Sequence, residues 1–320
     1  MLSDDATWTA AKRKASLENG WFIPEFIELA VKNIVENYLD EKKLTAWMSH
    51  YDLPGSADES CCNPQLVGIV MAGNIPMVGF HDLISVFLSG HKAVIKPSSK
   101  DNVLIRHLAD VLISWHPELV EWIRFAETLK DCDAFIATGS NNTSRYFEYY
   151  FGKYPHIIRR NKTSVAVLRG NETADELEHL ADDVYQFFGL GCRNVTKVYV
   201  PEGYEFTALL NACEKYNYLA DHHKYKNNYD YNLALHILNN KFYMTNGSII
   251  LTEDVSIFSP ISQLNYQYYS DRETLLSSIA DNEDIQCIVA KDHVAFGRAQ
   301  SPTLFDYADR VDTMAFLKAL

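Results

Sequence analysis

Of the six cysteines in this 320-residue sequence, Cys192 sits where a thiol can do covalent chemistry. It lies in the run Phe187-Phe188-Gly189-Leu190-Gly191-Cys192-Arg193-Asn194-Val195-Thr196, between a glycine-flanked turn and the strand-like Lys197-Val198-Tyr199-Val200-Pro201. A thiol of ordinary pKa, about 8.5, reacts readily only when positive charge or helix-end amides favour its thiolate, and Arg193 and the glycine-rich turn are the groups at hand. The competing reading is an inert core thiol, the usual fate of an intracellular cysteine. The run also opens like the GxGxxG dinucleotide fingerprint. Asn194 stands where the third glycine belongs, however, and a helical pattern precedes the run in place of a strand, so the phosphate-loop reading is rejected.

Other residues with chemical potential carry bland readings. His222-His223 has no second Cys or His pair at zinc-like spacing, so a solvated loop and no metal are expected. His81 reads as a packed histidine in preference to a proton donor, and Cys213 and Cys287 as core positions. Cys61-Cys62 and Cys132 read as structural or incidental, and Arg298, Asp306, Asp309 and Asp312 as surface or interface charges.

The elements around Cys192 follow from apolar periodicity. Leu66 to Ala72 is a short strand, Gly73-Asn74-Ile75-Pro76 a turn, and Met77 to Leu88 a helical pattern that Gly90 stops. Lys92 to Ile95 is a second strand, closed by Lys96-Pro97-Ser98-Ser99. Asp101 or Asn102 can then cap a helix carrying Val103, Leu104, Leu108, Val111, Leu112 and Trp115. A third strand, Ala134 to Ala137, runs into Thr138-Gly139-Ser140-Asn141-Asn142-Thr143 and a helix through Phe151. Three such units imply a parallel sheet covered on both faces, with the three turns along one rim outside the carboxyl ends of the strands.

Ser164 to Leu168 and Lys197 to Val200 are further strands flanking a helix, Asp175 to Phe188. Beyond Pro201, Ser248 to Leu251, Ile257 to Ile261 and Gln286 to Ala290 read as strands of a second domain, with a helical or extended segment at Leu233 to Leu238. Upstream, Glu25 to Leu39 is an amphipathic helix with Phe26, Leu29, Ala30, Ile34, Tyr38 and Leu39 on one side, and turn-rich Leu53-Pro54-Gly55-Ser56 ends the N-terminal helical region.

Composition sets the limits. The length suggests about two domains. With 29 basic against 42 acidic residues, a net charge of −13, a nucleic-acid partner is not expected. Six cysteines without a CxxC pair, and a polar start lacking a basic-then-apolar leader, read as reduced thiols in a cytoplasmic protein. Leu66 to Gly90 imitates a membrane span, but Asn74, Pro76, His81 and Asp82 interrupt it, and spanning needs ~20 continuous apolar residues. No transmembrane segment is expected.

Several separated motifs together resemble one family: Ala72-Gly73-Asn74-Ile75-Pro76, Lys96-Pro97-Ser98-Ser99-Lys100-Asp101, Ala137-Thr138-Gly139-Ser140, Gly189 to Asn194, and Phe296-Gly297-Arg298-Ala299-Gln300-Ser301-Pro302. The chain is similar, from about Leu66 to its end, to the acyl-CoA reductases typified by the fatty-acid reductase of bacterial luminescence (LuxC), a branch of the aldehyde dehydrogenase superfamily. The resemblance implies an α/β, aldehyde-dehydrogenase-like fold: a Rossmann-like parallel sheet domain plus a second α/β catalytic domain. The expected boundaries are 1–163 for the dinucleotide-binding domain with its N-terminal helices, 164–294 for the thiol domain, and 295–320 for a tail returning to the cofactor domain or to an interface.

By the same resemblance Cys192 matches the nucleophile and Asn74 the asparagine whose amide supports the oxyanion. Lys96 and Ser98 match the turn at the adenosine ribose, and Gly139 and Ser140 the turn beside the pyrophosphate and nicotinamide. The implied reaction is NADPH-dependent reduction of an acyl thioester, a fatty acyl-CoA or acyl-carrier-protein substrate, to an aldehyde through a Cys-bound thioacyl intermediate. An amide nitrogen is a pure donor and suits negative charge developing on a carbonyl oxygen. The bland reading of Asn74 is a turn residue before Ile75-Pro76, and that of Lys96-Pro97-Ser98 an ordinary strand-ending turn.

Two departures stand out. In aldehyde-oxidising relatives a glutamate in a Glu-Leu-Gly-Gly-Lys run activates water. Aligning that lysine with Lys162 puts Ile158 in the glutamate's place, which favours reduction over hydrolysis. The Glu-x-Phe-Gly-Pro run that grips the nicotinamide ribose appears here as Ser256-Ile257-Phe258-Ser259-Pro260, without its carboxylate. That loss supports an alternative, a non-reducing acyl- or partner-binding protein on the same scaffold. A homo-oligomer or an acyl-transfer partner subunit is left open.

Overall fold

The computed structural model describes residues 6–51 and 63–320; Cys61-Cys62 and the Leu53-Pro54-Gly55-Ser56 turn lie outside them. The chain divides into two compact units, Met1–Asn161 with Pro302–Leu320, and Lys162–Ser301.

The first unit begins with α1 (Ala6–Glu18), α2 (Pro24–Tyr38) and α3 (Glu41–His50). Phe26, Ile27, Ala30 and Ile34 form the buried face of α2. Leu39, expected on that face, lies past the last turn and is exposed. There follow β1 (Leu66–Val70), α4 (Phe80–Leu88), β2 (Lys92–Lys96), α5 (Val103–Trp115), β3 (Ile123–Phe125), β4 (Ala134–Thr138), α6 (Asn141–Phe151) and β5 (His156–Arg159).

All pairings of this sheet are parallel, in the order β3-β2-β1-β4-β5. Val67, Ile69, Ala93, Ile95 and Ile136 meet Leu83 and Val86 of α4 and Ile105 and Ala109 of α5 in one core. Strands sandwiched in this way have no solvent face, which is why they read as apolar runs without alternation. Gly68 is an approach point, since a Cβ there would stand 2.9 Å from the Phe135 ring.

The second unit holds β6 (Thr163–Val167), α7 (Ala174–Tyr185), β7 (Val195–Pro201), α8 (Thr207–Ala212), α9 (His223–Leu238), β8 (Met244–Thr245), β9 (Ile250–Glu253), β10 (Gln263–Tyr269), α10 (Arg272–Ala280) and β11 (Ile285–Val289). Its sheet runs β11-β6-β7-β10-β9-β8, parallel except for the β8–β9 edge pair. Thr173 and Glu176 start α7 with a reciprocal capping box, satisfying two amides that a helix start leaves open.

Two expectations for this unit change. Leu233 to Leu238 is the end of the sixteen-residue helix α9. Ile257 to Ile261 is no strand but part of the loop joining β9 to β10, because side chains and not a neighbouring strand take its carbonyls, as detailed below.

The chain then returns to the first unit, where α11 (Thr313–Lys318) packs Leu317 into the sheet core. Polar contacts fasten this tail. Trp47 Nε1 donates to Tyr307 Oη at 2.8 Å, and Tyr51 Oη donates to Asp312 Oδ2 at 2.8 Å. Asp312 also caps α11 through the Ala315 amide, so its carboxylate is a structural acceptor as well as a charge. Arg159, at the end of β5, is buried, with Nη1 2.6 Å from Asp82 Oδ2 and Nη2 2.9 Å from Thr313 Oγ1. No helix among the described residues is long and apolar enough to cross a membrane.

Candidate active site

The first unit carries five of the six residues singled out from the sequence. Strands β2, β1 and β4 lie side by side, and the turns that follow them carry Lys96 and Ser98, Asn74, and Gly139 and Ser140. The strand order reverses between β1 and β4. In open parallel sheets that switch point is where the flanking turns leave a ligand crevice outside the carboxyl ends.

The first two turns are locked together. The Met71 amide donates to Lys96 O at 3.0 Å. A Cβ on Gly73 would stand 2.6 Å from both Cβ and Oγ of Ser98, so only glycine lets the turns approach this closely. Asp101 completes the lock: its Oδ2 accepts the Met77 amide at 2.6 Å. Met77 is buried at φ +55°, a left-handed conformation that costs a non-glycine residue of order 1 kcal/mol or more, and Asp101 holds it there.

Capping of α5 by Asp101 or Asn102 is therefore not what forms. Asn102 occupies the cap position without a capping bond and accepts instead from Arg106 Nε at 2.6 Å. Asp101 is 6% exposed, its Oδ1 is buried without a hydrogen-bond partner, and burial pushes its pKa up to about 7.

The third turn opens α6. Ser140 Oγ caps this eleven-residue helix by accepting the Thr143 amide at 3.3 Å. The Gly139 amide donates to Arg159 O at 3.2 Å, and a Cβ on Gly139 would meet the Phe147 ring at 2.8 Å. Lys96 is exposed, and Ser98 is half-buried with Oγ accepting the Lys100 amide at 3.2 Å. Ile158 is a half-buried residue of β5.

Cys192 belongs to the second unit, half-buried in the turn before β7. That turn is conformationally unusual: Phe187, Phe188 and Gly189 follow one another at φ +56°, +58° and +71°, with both phenylalanines buried. Consecutive left-handed non-glycine residues persist only where their surroundings over-determine them.

Asn194 supplies that restraint. Fully buried, it accepts the Gly191 amide at 2.8 Å and donates to the carbonyls of Asp183 (3.0 Å), Val184 (3.3 Å) and Gln186 (2.9 Å). The residue that spoils the glycine fingerprint is the clamp that shapes the thiol turn. Below it, Ser164 Oγ donates to Cys192 O at 3.1 Å.

Asp183, buried on α7, accepts the Gly297 and Ala299 amides at 2.7 and 2.9 Å. It thereby ties the Phe296-Gly297-Arg298-Ala299 motif to the helix whose end Asn194 holds, and burial raises its pKa to about 7. Past the turn, Lys197 is a fully buried lysine on β7, and burial lowers its pKa to about 8. Sequence reasoning missed Asp101, Asp183, Asn194 and Lys197 as organising residues. The available signal was confined to Lys197, a charged side chain inside an otherwise apolar strand pattern that must find a partner when buried, whereas Asp101 and Asn194 lie in polar runs and Asp183 beside Asp182.

Remaining positions fall out simply. His81 packs among Tyr38, Trp47 and Tyr307 with Nε2 3.0 Å from Leu304 O. Cys132, Cys213 and Cys287 are buried, and burial pushes the Cys213 thiol up to about 12. His222 is not in a solvated loop: it precedes α9 with its ring 4.7 Å from that of Phe188.

Comparison with known proteins adds the family. The profile described as acyl-CoA reductase (LuxC) matches residues 26–213. No curated protein matches the chain. Among solved structures, an NAD+-complexed aldehyde dehydrogenase from Mycobacterium tuberculosis is similar at 17% identity and a TM-score of 0.56, over 88% of this chain and 71% of that one. An NAD-dependent aldehyde dehydrogenase from Sinorhizobium meliloti aligns at 13% identity and 0.54, over 70% of this chain and 54% of its own. Aldehyde dehydrogenase 21 from Physcomitrella patens, bound to the reaction product succinate, aligns at 13% identity and 0.60, over 88% and 73%. The fold is that of the aldehyde dehydrogenases.

Proposed function

The chain belongs to the acyl-CoA reductase (LuxC) family, and from that premise we propose that this oxidoreductase converts an acyl thioester, a fatty acyl-CoA, to an aldehyde with NADPH as reductant. The first unit is the dinucleotide-binding half in this reading, and the second carries the nucleophile, Cys192. The observation that carries it is the set of three turns at the carboxyl ends of adjacent parallel strands, two of them flanking the switch point between β1 and β4.

The residues present fit a dinucleotide. The amides at the start of α6 favour a pyrophosphate, Lys96 offers a cation and Ser98 a hydroxyl for the adenosine ribose, and Gly139 and Ser140 form the turn beside the pyrophosphate. When bound, the dinucleotide supplies one hydride to the acyl carbon.

The chain does the rest. The Cys192 thiolate attacks the thioester carbonyl, the carbon–sulfur bond to CoA breaks, and CoA leaves as a thiol after taking up a proton. Asn74 donates its amide hydrogen to the oxygen that gathers negative charge; loss of one such donor typically costs ~100 to 1000-fold in rate. Hydride addition to the thioacyl enzyme gives a hemithioacetal anion, which collapses to the aldehyde and returns the Cys192 thiolate. Ile158, with no basic group, cannot activate water, so the thioacyl enzyme waits for hydride.

Intact-mass measurement after incubation with acyl-CoAs of increasing chain length tests the assignment. Wild type gains one acyl group that maps to Cys192, Cys192→Ser gains none, and NADPH is consumed in step with aldehyde formed. Undiminished turnover by Cys192→Ser refutes the nucleophile. Acyl-enzyme without dinucleotide oxidation favours the non-reducing acyl-binding protein. Equal consumption of NADH refutes the NADPH preference.

A further inference from the structure

The loop between β9 and β10 is held in an uncommon way. Four consecutive carbonyls along it are taken by side chains of two neighbouring strands. Lys197 Nζ donates to Val255 O at 2.8 Å, and Thr196 Oγ1 donates to Ile257 O at 2.6 Å. Asn265 Nδ2 donates to Ser256 O at 3.0 Å and Phe258 O at 3.1 Å. Surface loops ordinarily leave such groups to water or to local turns.

The donors are themselves fixed. Lys197 and Asn265 are opposite one another in the parallel β7–β10 register, and both are buried. Lys197 Nζ also donates to Gln267 Oε1 at 2.7 Å. Gln263 Nε2 donates to Asn265 Oδ1 at 2.8 Å, which sets the orientation of that amide. Thr196 Oγ1 lies 2.5 Å from Thr163 Oγ1 on β6. Ser259 Oγ donates to Gln263 O at 2.6 Å and closes the end of the loop.

Thr196 and Lys197 are the fourth and fifth residues after Cys192. The loop backbone is therefore registered directly to the strand that leaves the thiol turn. Its residues 256–260 correspond to the segment in which a ribose-gripping carboxylate is replaced by Ser256. A weak side-chain grip can be offset by a backbone that does not move, because a reacting group misplaced by about 1 Å costs roughly 100-fold in rate.

We propose that Thr196, Lys197 and Asn265 are positioning residues for hydride transfer: they fix loop 255–260 relative to Cys192, and that rigid backbone takes over the nicotinamide-ribose placement left open by Ser256. The proposal rests on the reductase reading given above. The three residues act on the reduction half-reaction and not on acylation, since thioester attack requires only the thiol turn and the oxyanion donor.

The test separates the two half-reactions. Acyl-enzyme formation is followed by mass without dinucleotide, and reduction by mixing preformed acyl-enzyme with NADPH in a single turnover. Thr196→Val is expected to slow reduction at least ~10-fold while acylation stays within about 2-fold of wild type, and Thr196→Ser, which restores the hydroxyl, to recover the rate. Unchanged reduction, a parallel fall of both steps, or failure of Thr196→Ser to recover would each overturn the proposal. Should Thr196→Val not fold, Asn265→Ser, which withdraws two carbonyl contacts, takes its place. Loss of folding by both would make the clamp purely structural and refute it. A wild-type protein that forms no acyl-enzyme or oxidises no NADPH would refute the underlying function instead, before any variant is compared.

Discussion

Asp101 makes the linkage between the Lys96–Ser98 turn and the Asn74 turn open to measurement. Its carboxyl is buried, Oδ2 accepts one amide, Oδ1 has no hydrogen-bond partner, and burial raises its pKa from 3.8 to about 7. In the unfolded chain the group loses its proton near its ordinary value. Between about pH 4 and about pH 7 the folded state thus retains a proton that the unfolded state has released. Stability therefore falls as pH rises through that window and levels off above about 7. A gap of about three pH units, at about 1.4 kcal/mol each, sets an upper bound of about 4 kcal/mol.

Asp101→Asn keeps the shape and an oxygen for the Met77 amide but cannot titrate. Wild type and variant are to be unfolded in urea at several pH values from about 4.5 to about 7.5, and the difference in free energy between them plotted. The contribution of Asp183, whose pKa is raised in the same direction, is common to both proteins and cancels in this difference. The variant should gain on wild type by up to about 3 kcal/mol across the range, since part of the titration lies below about pH 4.5. Parallel stability curves would refute the argument that this buried carboxyl holds its proton.

Three other substitutions probe the framework. Asn194→Ala leaves the Gly191 amide and three carbonyls without their side-chain partner and should cost about 3 kcal/mol in chemical unfolding, with faster alkylation of Cys192 as the thiol turn loosens. Arg159→Met strands Asp82 without its cation inside the first unit and should cost roughly 3 to 5 kcal/mol, much of which the double variant Asp82→Leu/Arg159→Met should recover. Gly73→Ala drives a Cβ against Ser98 at 2.6 Å. It should cost roughly 1 to 3 kcal/mol and weaken NADPH binding in a fluorescence titration, and wild-type binding would show that the contact of the two turns does not shape the cofactor site.

What the sequence made legible, and what it hid, divides along a physical line. Apolar burial is non-directional and proportional to area, so Leu66–Val70, Ala134–Thr138 and Thr163–Val167 announce a two-sided sheet wherever their partners lie in the chain. The parallel strands and their carboxyl-end turns could be read for that reason. Strands β3 and β5 escaped because three or four residues, with Arg124 inside one and Arg159 ending the other, make no run long enough to recognise.

Buried polar groups are the opposite case, because a hydrogen bond demands one particular partner. A local rule offered Asp101 the start of α5, yet its donor Met77 is 24 residues upstream. Asn194 read as a defect in a glycine motif because its acceptors lie eight to eleven residues back, on the end of α7 and just beyond it. Lys197 was the most informative miss. A lysine within Val195–Pro201 cannot be buried without acceptors; one of its two, Gln267 Oε1, is on the neighbouring strand β10, and the other, Val255 O, is on the very loop whose missing carboxylate had counted against reduction. The loss at Ser256 and the lysine on β7 are thus better understood as one arrangement, in which side chains near the thiol hold a loop by its backbone, than as a defect and an oddity apart.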